Sequence, residues 1–522
     1  MKRTILLLIL FGLLCGCGCE KQPAEGGGYK LERIHVDQSE ITLLKGDTDA
    51  VKASPVPSTA NTYTFAWTTS DPKVVTVDNG AIEAVGFGNA IVKAELMGKT
   101  AEIAVNVVAT PPDDLSFYTG ASQLFHPASG FMNDPNGLFY KDGVWHMYFQ
   151  YDPNINATNE GKCWGHAVST NLYNWRECKV AIRPDENGAI WSGGCVIDER
   201  NVAGFGKDAV LAFYTSYDGN KVKNQQTSLY YSTDGGYTFT PYSKNPIMVP
   251  DDYDIGFRDP QIIWYEPMGI YVMTLTRGKA VDFYQSTNLL DWTLLSRFEG
   301  APDMAKGTFE CPSLFPISSG GQTKWVVMAC SLIIDSMDGR SGVLYYLGDF
   351  VGGVFVPDDT DTHMADFGAT YAGSTWNHAD RRIMTSWLFE YKHWLQHYND
   401  AMYRTKEWCG RLTTPREITL GTYSGKQILK FYPPKEVLAA ASAEECIKAE
   451  LSSSSPSFKC DPFTLTFDAS KATITTKGLM NDAVLKVDDA TKHDILILRG
   501  DYCAQIFIDG GAVCHTGLLD AR

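Results

Sequence analysis

The stretch Asn133-Asp134-Pro135-Asn136-Gly137 is a polar turn that leads directly into an apolar run. The same arrangement recurs four more times, at Trp191-Ser192-Gly193-Gly194, Arg258-Asp259-Pro260, Glu310-Cys311-Pro312 and Asp366-Phe367-Gly368. Counted from Asp134, Ser192, Asp259, Glu310 and Asp366, the steps are 58, 67, 51 and 56 residues. Because each step is long enough for four strands, the repeat predicts a five-bladed β-propeller over residues 118–425. An irregular all-β domain with chance turns is the alternative on periodicity alone.

A second repeat supports the propeller. The segment Ser169-Thr170-Asn171-Leu172-Tyr173-Asn174-Trp175 is similar to Ser286-Thr287-Asn288-Leu289-Leu290-Asp291-Trp292, and a shorter version begins at Ser232-Thr233-Asp234. Their spacings of 63 and 54 residues match the length of one blade.

Three of the polar turns carry a carboxylate followed by proline or by Cys-Pro, namely Asp134, Asp259 and Glu310. If each turn opens the innermost strand of its blade, the three acids converge at one end of the central channel. The following proline keeps the chain extended, which helps to fix the direction of the acid. Glycoside cleavage with retention needs one carboxylate as nucleophile and another as acid and then base. Calcium binding is the alternative, but the acids lack the local one-three-five spacing of a calcium loop.

The composition narrows the class of partner. The chain has 522 residues, a net charge of −16 and 12% aromatic residues. Such an acidic balance argues against nucleic acid or anionic lipid as the main partner. Thirteen cysteines without a CxxC or Cys/His cluster predict no zinc site and mostly free, buried thiols. We expect neither a metal nor a cofactor.

The N-terminus, residues 1–19, is typical of an export signal. Lys2 and Arg3 precede an apolar run that is too short to span a bilayer. The following Leu14-Cys15-Gly16-Cys17 resembles a bacterial lipoprotein box, which implies lipid attachment at Cys17, with Cys19 and a plain secretory signal as alternatives. A flexible tether at 20–30 follows. We expect an exported lipoprotein on a bacterial membrane, at the outer membrane or cell surface, held there by its lipid alone.

Residues 31–108 contain short alternating runs that predict a β-sandwich. The stretch Trp67-Thr68-Thr69-Ser70-Asp71-Pro72 and the later Ala84-Val85-Gly86-Phe87-Gly88 resemble the bacterial immunoglobulin-like group 2 domain, which implies a spacer or adhesive role. Residues 109–117 are predicted to be a linker. The expected fold is all-β: a small immunoglobulin-like sandwich, a five-bladed propeller that carries the catalytic groups, and a C-terminal β-sandwich over 428–522.

The segment Phe131-Met132-Asn133-Asp134-Pro135-Asn136-Gly137 resembles the signature of glycoside hydrolase family 32, which includes invertases, inulinases and levanases. The resemblance continues in Tyr148-Phe149-Gln150-Tyr151, Trp164-Gly165-His166-Ala167, the turns at Trp191, Arg258 and Glu310, and Leu412-Thr413-Thr414-Pro415-Arg416-Glu417. It implies a retaining mechanism in which Asp134 is the nucleophile, Glu310 the acid/base and Asp259 the stabiliser of the transition state. It also implies contacts to the fructosyl unit from Asn133, Gln150, Trp191, Ser192 and Arg258. Trp164 is predicted either to shape the pocket wall or to belong to the core.

Two departures from the family pattern bear on the substrate. Thr158 stands where many exo-acting relatives have tryptophan, and Trp387–Gly410 looks longer than the usual loop. That loop carries Phe389, Tyr391, Trp394, Tyr398, Tyr403 and Trp408, which could stack on sugar rings or form a small loop core. Together they favour an open cleft and internal cleavage of a fructan, with levan preferred over inulin. The alternatives are an exo-acting β-fructosidase or invertase, a fructosyl transferase, an inverting arabinan- or xylan-cleaving propeller enzyme, and a non-catalytic fructan-binding lipoprotein.

Overall fold

A computed structural model describes residues 31–58, 63–108, 116–119, 124–221, 223–251, 256–300, 307–334, 340–400 and 403–520. These residues form ten β-sheets and two short α-helices, α1 (Tyr391–His397) and α2 (Lys435–Ala440). Neither helix has the length and apolar character needed to cross a membrane. The predicted signal with Cys17 and the tether lie outside the described residues.

The immunoglobulin-like module is built from three small sheets around one apolar core. Alternation in its last strand is as the sequence predicts, because Ile103, Val105 and Val107 are buried between more exposed neighbours. The strands are β1 (Arg33–Val36), β2 (Glu40–Leu44), β3 (Thr48–Ala50), β4 (Ala53–Val56), β5 (Ala66–Thr69), β6 (Val75–Asp78), β7 (Ala81–Ala84), β8 (Gly88–Leu96) and β9 (Lys99–Val108).

The next part of the chain folds into five antiparallel sheets, each of which supplies the four strands of one blade. Blade I holds β11 (Gly130–Lys141), β12 (Val144–Asp152), β13 (Cys163–Ser169) and β14 (Asn174–Ile182). Blade II holds β15 (Ala189–Asp198), β16 (Ala209–Tyr217), β17 (Gln225–Ser232) and β18 (Thr240–Pro241). Blade III holds β19 (Phe257–Tyr265), β20 (Ile270–Arg277), β21 (Ala280–Ser286) and β22 (Thr293–Phe298), with a 3-10 turn at Glu266–Met268.

Blades IV and V complete the ring. Blade IV holds β23 (Glu310–Ser319), β24 (Gln322–Ile334), β25 (Arg340–Val351) and β26 (Val354–Pro357), with β27 (His363–Met364) beside β25. Blade V holds β28 (Tyr371–His378), β29 (Arg381–Trp387), β31 (Arg416–Tyr423) and β32 (Lys426–Tyr432), and β30 (Trp408–Cys409) joins blade I in parallel with β11. Each innermost strand contacts the innermost strand of the next blade, and β28 of blade V contacts β11 of blade I. The predicted five-bladed propeller is therefore confirmed.

The end of the predicted linker takes part in blade I. Ser116–Thr119 forms a strand, β10, that pairs with the outer strand β14. Residues 116 and 117, which the sequence assigns to the linker, thus add an edge strand to the propeller, since an unpaired outer strand offers free backbone groups to any extended neighbour.

The second sequence repeat corresponds to a hairpin turn in blades I, II and III, between the third and fourth strands. In blade I the Asn171 side chain accepts from the backbone N–H groups of Tyr173 and Asn174, and the Trp175 indole donates to the Leu172 carbonyl at 3.2 Å. The segment from Ser286 to Trp292 repeats these contacts in blade III. This side-chain bonding to nearby backbone explains why the motif recurs.

The fifth polar turn was wrongly assigned to the channel. The innermost strand of blade V begins at Tyr371, and Asp366 lies outside it. The Asp366 carboxylate is fully buried and 2.6 Å from Nη1 of Arg416, and it accepts from the backbone and hydroxyl of Thr516. A carboxylate in that position joins the propeller to the C-terminal domain and does not face the channel.

The C-terminal domain is a sandwich of two four-stranded sheets. Its core includes Phe463, Leu465 and Phe467, which alternate with more exposed residues as the sequence predicts. The strands are β33 (Cys446–Ser452), β34 (Ser457–Cys460), β35 (Phe463–Asp468), β36 (Thr473–Lys477), β37 (Val484–Lys486), β38 (Lys492–Arg499), β39 (Cys503–Ile508) and β40 (Val513–Leu518).

The ten cysteines from Cys163 to Cys514 are all free thiols, and seven of them are buried. This confirms the prediction of mostly free, buried thiols for the described part of the chain.

Candidate active site

All five innermost strands share an irregularity near their beginning. Their pairing with the second strand of the blade skips two residues: 133–134, 191–192, 259–260, 311–312 and 372–373. Such a bulge turns side chains out of the regular alternation and is common beside active sites. The bulges of blades I to IV place the polar residues of four sequence-distant turns around one mouth of the channel, and the bulge of blade V, at 372–373, directly follows Tyr371.

The three acids do not occupy equivalent positions in their strands. Asp134 and Asp259 are themselves among the skipped residues, whereas Glu310 is the last paired residue before the bulge of blade IV. Cys311 therefore takes the place in blade IV that Asp259 takes in blade III, and both have a positive φ, of 49° and 63°. A positive φ is uncommon for residues with a side chain and marks functional sites. The expectation of three acids at matching positions is therefore wrong in detail: Glu310 is the residue before its bulge, Asp259 the first residue within its bulge and Asp134 the second.

Asp134 is surrounded by donors. Its Oδ2 accepts from the Ser192 hydroxyl at 2.6 Å, and its Oδ1 accepts from the Asn133 amide at 2.9 Å. The thiol of Cys311 lies 3.8 Å from Oδ2. Burial raises the pKa of Asp134, and the negative charge of Glu310 adds to the rise, while the Ser192 and Asn133 hydrogen bonds oppose it. Both oxygens are thus held in fixed directions, which suits a nucleophile.

Asp259 is almost completely buried, with 4% of its surface exposed. Its Oδ2 accepts from the backbone N–H of Cys311 at 2.8 Å, and its own N–H donates to the Thr215 hydroxyl at 2.9 Å. Burial raises the pKa of Asp259 to about 7, a rise that Arg258 opposes and that the charges of Glu310 and Asp134 increase. At neutral pH this carboxyl therefore holds a proton for about half of the time.

Glu310 is held by two donors from neighbouring blades. Nη2 of Arg258 lies 2.9 Å from Oε1, and the Tyr371 hydroxyl donates to Oε2. Burial, together with the charge of Glu310, raises the pKa of Tyr371 well above its ordinary value, so the phenol keeps its proton. Glu310 is therefore oriented by one hydrogen-bond donor from each of the two neighbouring blades.

Lys162 binds Asn133, which in turn donates to Asp134. Its Nζ lies 2.6 Å from Oδ1 of Asn133 and 4.2 Å from the centroid of the Phe131 ring. Burial lowers the pKa of Lys162 to about 8, a fall that the charges of Asp134 and Asp152 oppose. The ammonium group fixes the Asn133 amide so that its nitrogen, and not its oxygen, faces Asp134.

Trp191 and Tyr217 form an aromatic surface at the edge of the site. Their rings stack with centroids 4.1 Å apart, and the Trp191 indole donates to the Asn159 carbonyl at 3.0 Å. Trp191 remains partly exposed, so one of the two rings can still contact a sugar.

Trp164 belongs to the core, which is the second of the two alternatives from the sequence, and its listing as a substrate contact is not supported. It is fully buried in an apolar cluster with Phe139 and Tyr148 and therefore has no surface to offer a sugar. Its indole donates to the Trp191 carbonyl at 3.1 Å, so it supports the aromatic surface from below. Gln150 is also buried, and its amide nitrogen donates to the Ile190 carbonyl at 2.9 Å.

Three residues at this mouth escaped the sequence analysis: Thr215, Tyr371 and Lys162. Thr215 accepts from Asp259 and donates to the Ser192 carbonyl at 3.2 Å, which ties blades II and III together. The signal for Tyr371 was available, since it opens the fifth innermost strand at the place where Glu310 opens the fourth. For Thr215, on a second strand, and Lys162, in a loop, the sequence carries no comparable signal.

The aromatic residues of the loop at 387–410 form a small core. Trp387, Phe389, Tyr403 and Trp408 are buried, and Trp387 stacks on Phe389 with centroids 4.0 Å apart. Within the described residues, helix α1 lies in this loop, and Trp394 packs against Phe389 and Tyr403. The loop-core alternative describes these rings, and they give no support to extra sugar subsites.

A group of potential metal ligands in the described residues lies elsewhere, in the C-terminal sandwich. It comprises Asp488, His493 and Asp509. Nδ1 of His493 already donates to Asp509 at 2.8 Å, and the Tyr423 hydroxyl donates to the same oxygen. The group is a hydrogen-bonded network separate from the propeller carboxylates.

Replacing the buried carboxyl of Asp259 should raise the free energy of unfolding, by an amount that depends on pH. The unfolded chain releases this proton near pH 4, whereas the folded protein holds it until about pH 7. Ionisation therefore costs stability increasingly as the pH rises from 4 to 7, and fully above that. We expect Asp259→Asn to stabilise the inactive protein by roughly 1–2 kcal/mol at pH 8 and hardly at pH 4. Thermal unfolding at both pH values measures this, and an equal difference at both would contradict it.

Replacing Lys162 should lower the activity only moderately. We expect Lys162→Met to lower kcat about tenfold with little change in KM, because the Asn133 amide loses the contact that orients it toward Asp134. Lys162→Arg keeps the charge and is expected to recover most of the rate. Equal losses in the two variants would show that the charge is not what matters.

Comparisons with known proteins support the fold. The model of the glycosyl hydrolases family 32 N-terminal domain matches residues 125–433, and that of the bacterial Ig-like domain (group 2) matches residues 31–100. The chain is 37% identical over 312 residues to an extracellular exo-inulinase of Meyerozyma guilliermondii, covering 57% of this chain and 59% of that protein. It is 36% identical over 326 residues to a levanase of Bacillus subtilis, covering 60% of this chain and 46% of that one. The chain thus spans about half of the length of these curated relatives.

Solved structures give the same fold. An exo-inulinase from Aspergillus awamori superposes with a TM-score of 0.65 at 25% identity, covering 76% of this chain and 92% of that one. A fructofuranosidase from Schwanniomyces occidentalis complexed with fructosylnystose has a TM-score of 0.66 at 24% identity, covering 76% and 90%.

Proposed function

Because the chain belongs to glycoside hydrolase family 32, we propose that it hydrolyses β-fructofuranosidic bonds of fructans and retains the anomeric configuration. The observation that carries the proposal is the convergence of Asp134 and Glu310, from blades I and IV, on one mouth of the channel. Cys311 links them, because its thiol contacts Asp134 and it directly follows Glu310.

In the first step Glu310 gives its proton to the glycosidic oxygen while an oxygen of Asp134 attacks the anomeric carbon. The bond from that carbon to the leaving oxygen breaks, and a fructosyl ester on Asp134 forms. In the second step Glu310 removes a proton from water, the water oxygen attacks the anomeric carbon, and Asp134 leaves as a carboxylate. Ser192 and Asn133 hold Asp134 throughout, so the attacking oxygen needs little reorientation.

Asp259 has one oxygen available for the sugar. Oδ2 accepts from Cys311, while Oδ1 has no hydrogen-bond partner within the described part of the chain. A substrate hydroxyl that donates to Oδ1 would be bound in a dry site, where such a bond strengthens as positive charge develops on the sugar ring. This is the role that the family resemblance implies for Asp259.

The mechanism requires a proton on Glu310 when the substrate is bound. In the free site Arg258 and Tyr371 both donate to Glu310. We propose that the fructosyl unit draws Arg258 and Asp259 onto its own hydroxyls, which releases Glu310 from Arg258 to face the glycosidic oxygen.

The finer proposal is internal cleavage of levan. It rests on Thr158, which is exposed in a polar turn anchored to Asp152 by a 2.7 Å hydrogen bond from its N–H, where many exo-acting relatives have tryptophan. A small polar side chain there leaves the mouth less enclosed than a ring would. The buried aromatic loop at 387–410 does not contribute to this argument.

A product profile tests the function. Residues 20–522 would be incubated with levan, inulin and sucrose, with the Asp134→Asn variant as a control, and early products would be separated by length. Mixed oligosaccharides from levan are the expected result. Fructose alone from the first time point would refute internal cleavage, products longer than the substrate would indicate transfer, and no product from any substrate would refute the proposed function.

We also propose that Cys17 is lipidated and that the protein is anchored to the outer membrane by that lipid. The proposal rests on the lipoprotein box at Leu14–Cys17. Labelling with a palmitate analogue in a bacterial host tests it. Label that persists in Cys17→Ser but is lost in Cys19→Ser would move the attachment site, and a secreted, unlabelled protein would refute the anchor.

A further inference from the structure

The propeller channel has a second mouth, at the opposite ends of the strands that carry the acids. A cavity of about 860 Å³ lies there, lined by the later residues of all five innermost strands. Those residues include Tyr140, Ile197, Trp264, Ile317 and His378. Because Asp134, Asp259 and Glu310 sit near the first residues of their strands, this cavity is separate from the candidate active site.

Arg382, at the start of β29, lines this cavity, and its guanidinium has few hydrogen-bond acceptors. Its Nη1 donates to the Thr375 hydroxyl at 3.3 Å, and its guanidinium carbon lies 4.6 Å from the centroid of the buried Phe315 ring. Its Nε is buried without an acceptor. Among the described residues no carboxylate forms an ion pair with Arg382, and burial alone lowers its pKa, to about 9.

The charges of the other two arginines at this mouth, Arg381 and Arg200, have carboxylate partners. Arg381, the preceding residue, donates to both Glu417 and Glu436 at 2.6–3.0 Å. Arg200 stacks on Trp264 at 3.7 Å on the exposed rim, and its Nη2 lies 3.8 Å from Glu266. Arg382 is half-buried, with its Nε fully buried, and a cation withdrawn from water without a counter-charge is costly, so its isolation calls for an anion in the cavity that it faces.

We infer that the second mouth of the channel binds a small oxyanion, such as phosphate or a carboxylate, on the guanidinium of Arg382. The planar guanidinium presents paired N–H donors that match two oxygens of such an anion. Thr375, whose oxygen already accepts from Arg382, keeps its hydroxyl proton for the anion, and Ser313 and Asn377 line the same cavity. The cavity's own carboxylates, Glu199 and Asp380, are exposed on the rim.

Thermal unfolding of the full exported chain tests this site. Phosphate, acetate and chloride would be compared at equal ionic strength and pH, for the wild type, Arg382→Gln and the matched control Arg200→Gln. We expect phosphate or acetate at about 20 mM to raise the Tm of the wild type by ~2–4 °C over chloride, since a ligand that binds only the folded state stabilises it. Arg200→Gln should keep that shift, and Arg382→Gln should lose it.

The shift, and not the absolute Tm, is the readout, so a change in the stability of Arg382→Gln does not obscure the result. A larger shift with phosphate than with acetate would identify the doubly charged anion as the ligand. The inference is overturned if neither anion shifts the wild type, or if Arg382→Gln responds as the wild type does. Fructan hydrolysis by Arg382→Gln should stay within about twofold of the wild type, which separates this site from the proposed function.

Discussion

Replacing Asp134 by asparagine should lower kcat on fructan by at least about 10⁴-fold, because the covalent intermediate cannot form without its carboxylate. Asn is of equal size and can still accept from Ser192, so the fold and the sugar contacts should persist. The measurement is the steady-state rate on the preferred polymer, with substrate binding followed separately by calorimetry. A loss of less than about tenfold would show that Asp134 is not the nucleophile.

Glu310→Gln provides the matched comparison. General acid–base catalysis contributes about 10²–10⁴-fold, so the loss on fructan should be severe but smaller than for Asp134→Asn. A fructoside with a nitrophenol leaving group needs no proton, so its first step should stay fast in Glu310→Gln and the fructosyl-enzyme should accumulate as a burst of one nitrophenol per chain. The same substrate should give no burst with Asp134→Asn. Equal behaviour of the two variants would contradict the assignment of roles.

The second large effect is expected at the junction of the propeller and the C-terminal sandwich. Asp366 and Arg416 are 0% and 1% exposed, and Nη2 of Arg416 also donates to Thr516 at 2.6 Å. Asp366→Asn leaves the Arg416 charge buried without a counter-charge, which should cost about 3–5 kcal/mol of stability. Urea unfolding followed by tryptophan fluorescence measures the loss, with activity as a second probe because the active site is in the propeller.

Two further variants make the test specific. Asp361→Asn removes the carboxylate of an exposed pair with Lys426 and should leave the stability nearly unchanged, because water screens such a pair. Adding Arg416→Met to Asp366→Asn removes the buried charge and should recover part of the stability. If the free energy of unfolding of Asp366→Asn lies within about 1 kcal/mol of that of the wild type, the pair does not hold the two domains together.

The pH dependence of this junction has the opposite sign to that of Asp259. Burial raises the pKa of Asp366, but Arg416 and the other donors lower it by more. The pKa of Asp366 therefore lies below its ordinary value. The stabilisation is therefore complete above the pKa of the unfolded carboxyl and is lost as the pH falls through the folded value. Acid should loosen this junction.

Much of the site could be read from the sequence because its residues lie in short local motifs. Asn133, Asp134 and Ser192 meet in the structure, as do Arg258 and Glu310, although more than 50 residues separate the partners in Ser192–Asp134 and Arg258–Glu310. The regular repeat was enough to predict that these residues meet, since the blades of a propeller are arranged around one axis and equivalent turns lie at the same end of it. Asp366 was misassigned because a polar turn looks the same in sequence whether it opens an inner strand or lies just before it.

The sequence by itself determined the five-blade fold, the three acids and the chemistry open to them, because strand alternation, turn motifs and carboxylate side chains are local properties. Only the tertiary structure decided that burial raises the pKa of Asp259, that Tyr371 and Arg258 both donate to Glu310, and that Trp164 lies in the core behind Trp191. These depend on burial and on distances between residues of different blades. Neither burial nor such distances exist until the ring has closed, so no local pattern can encode them.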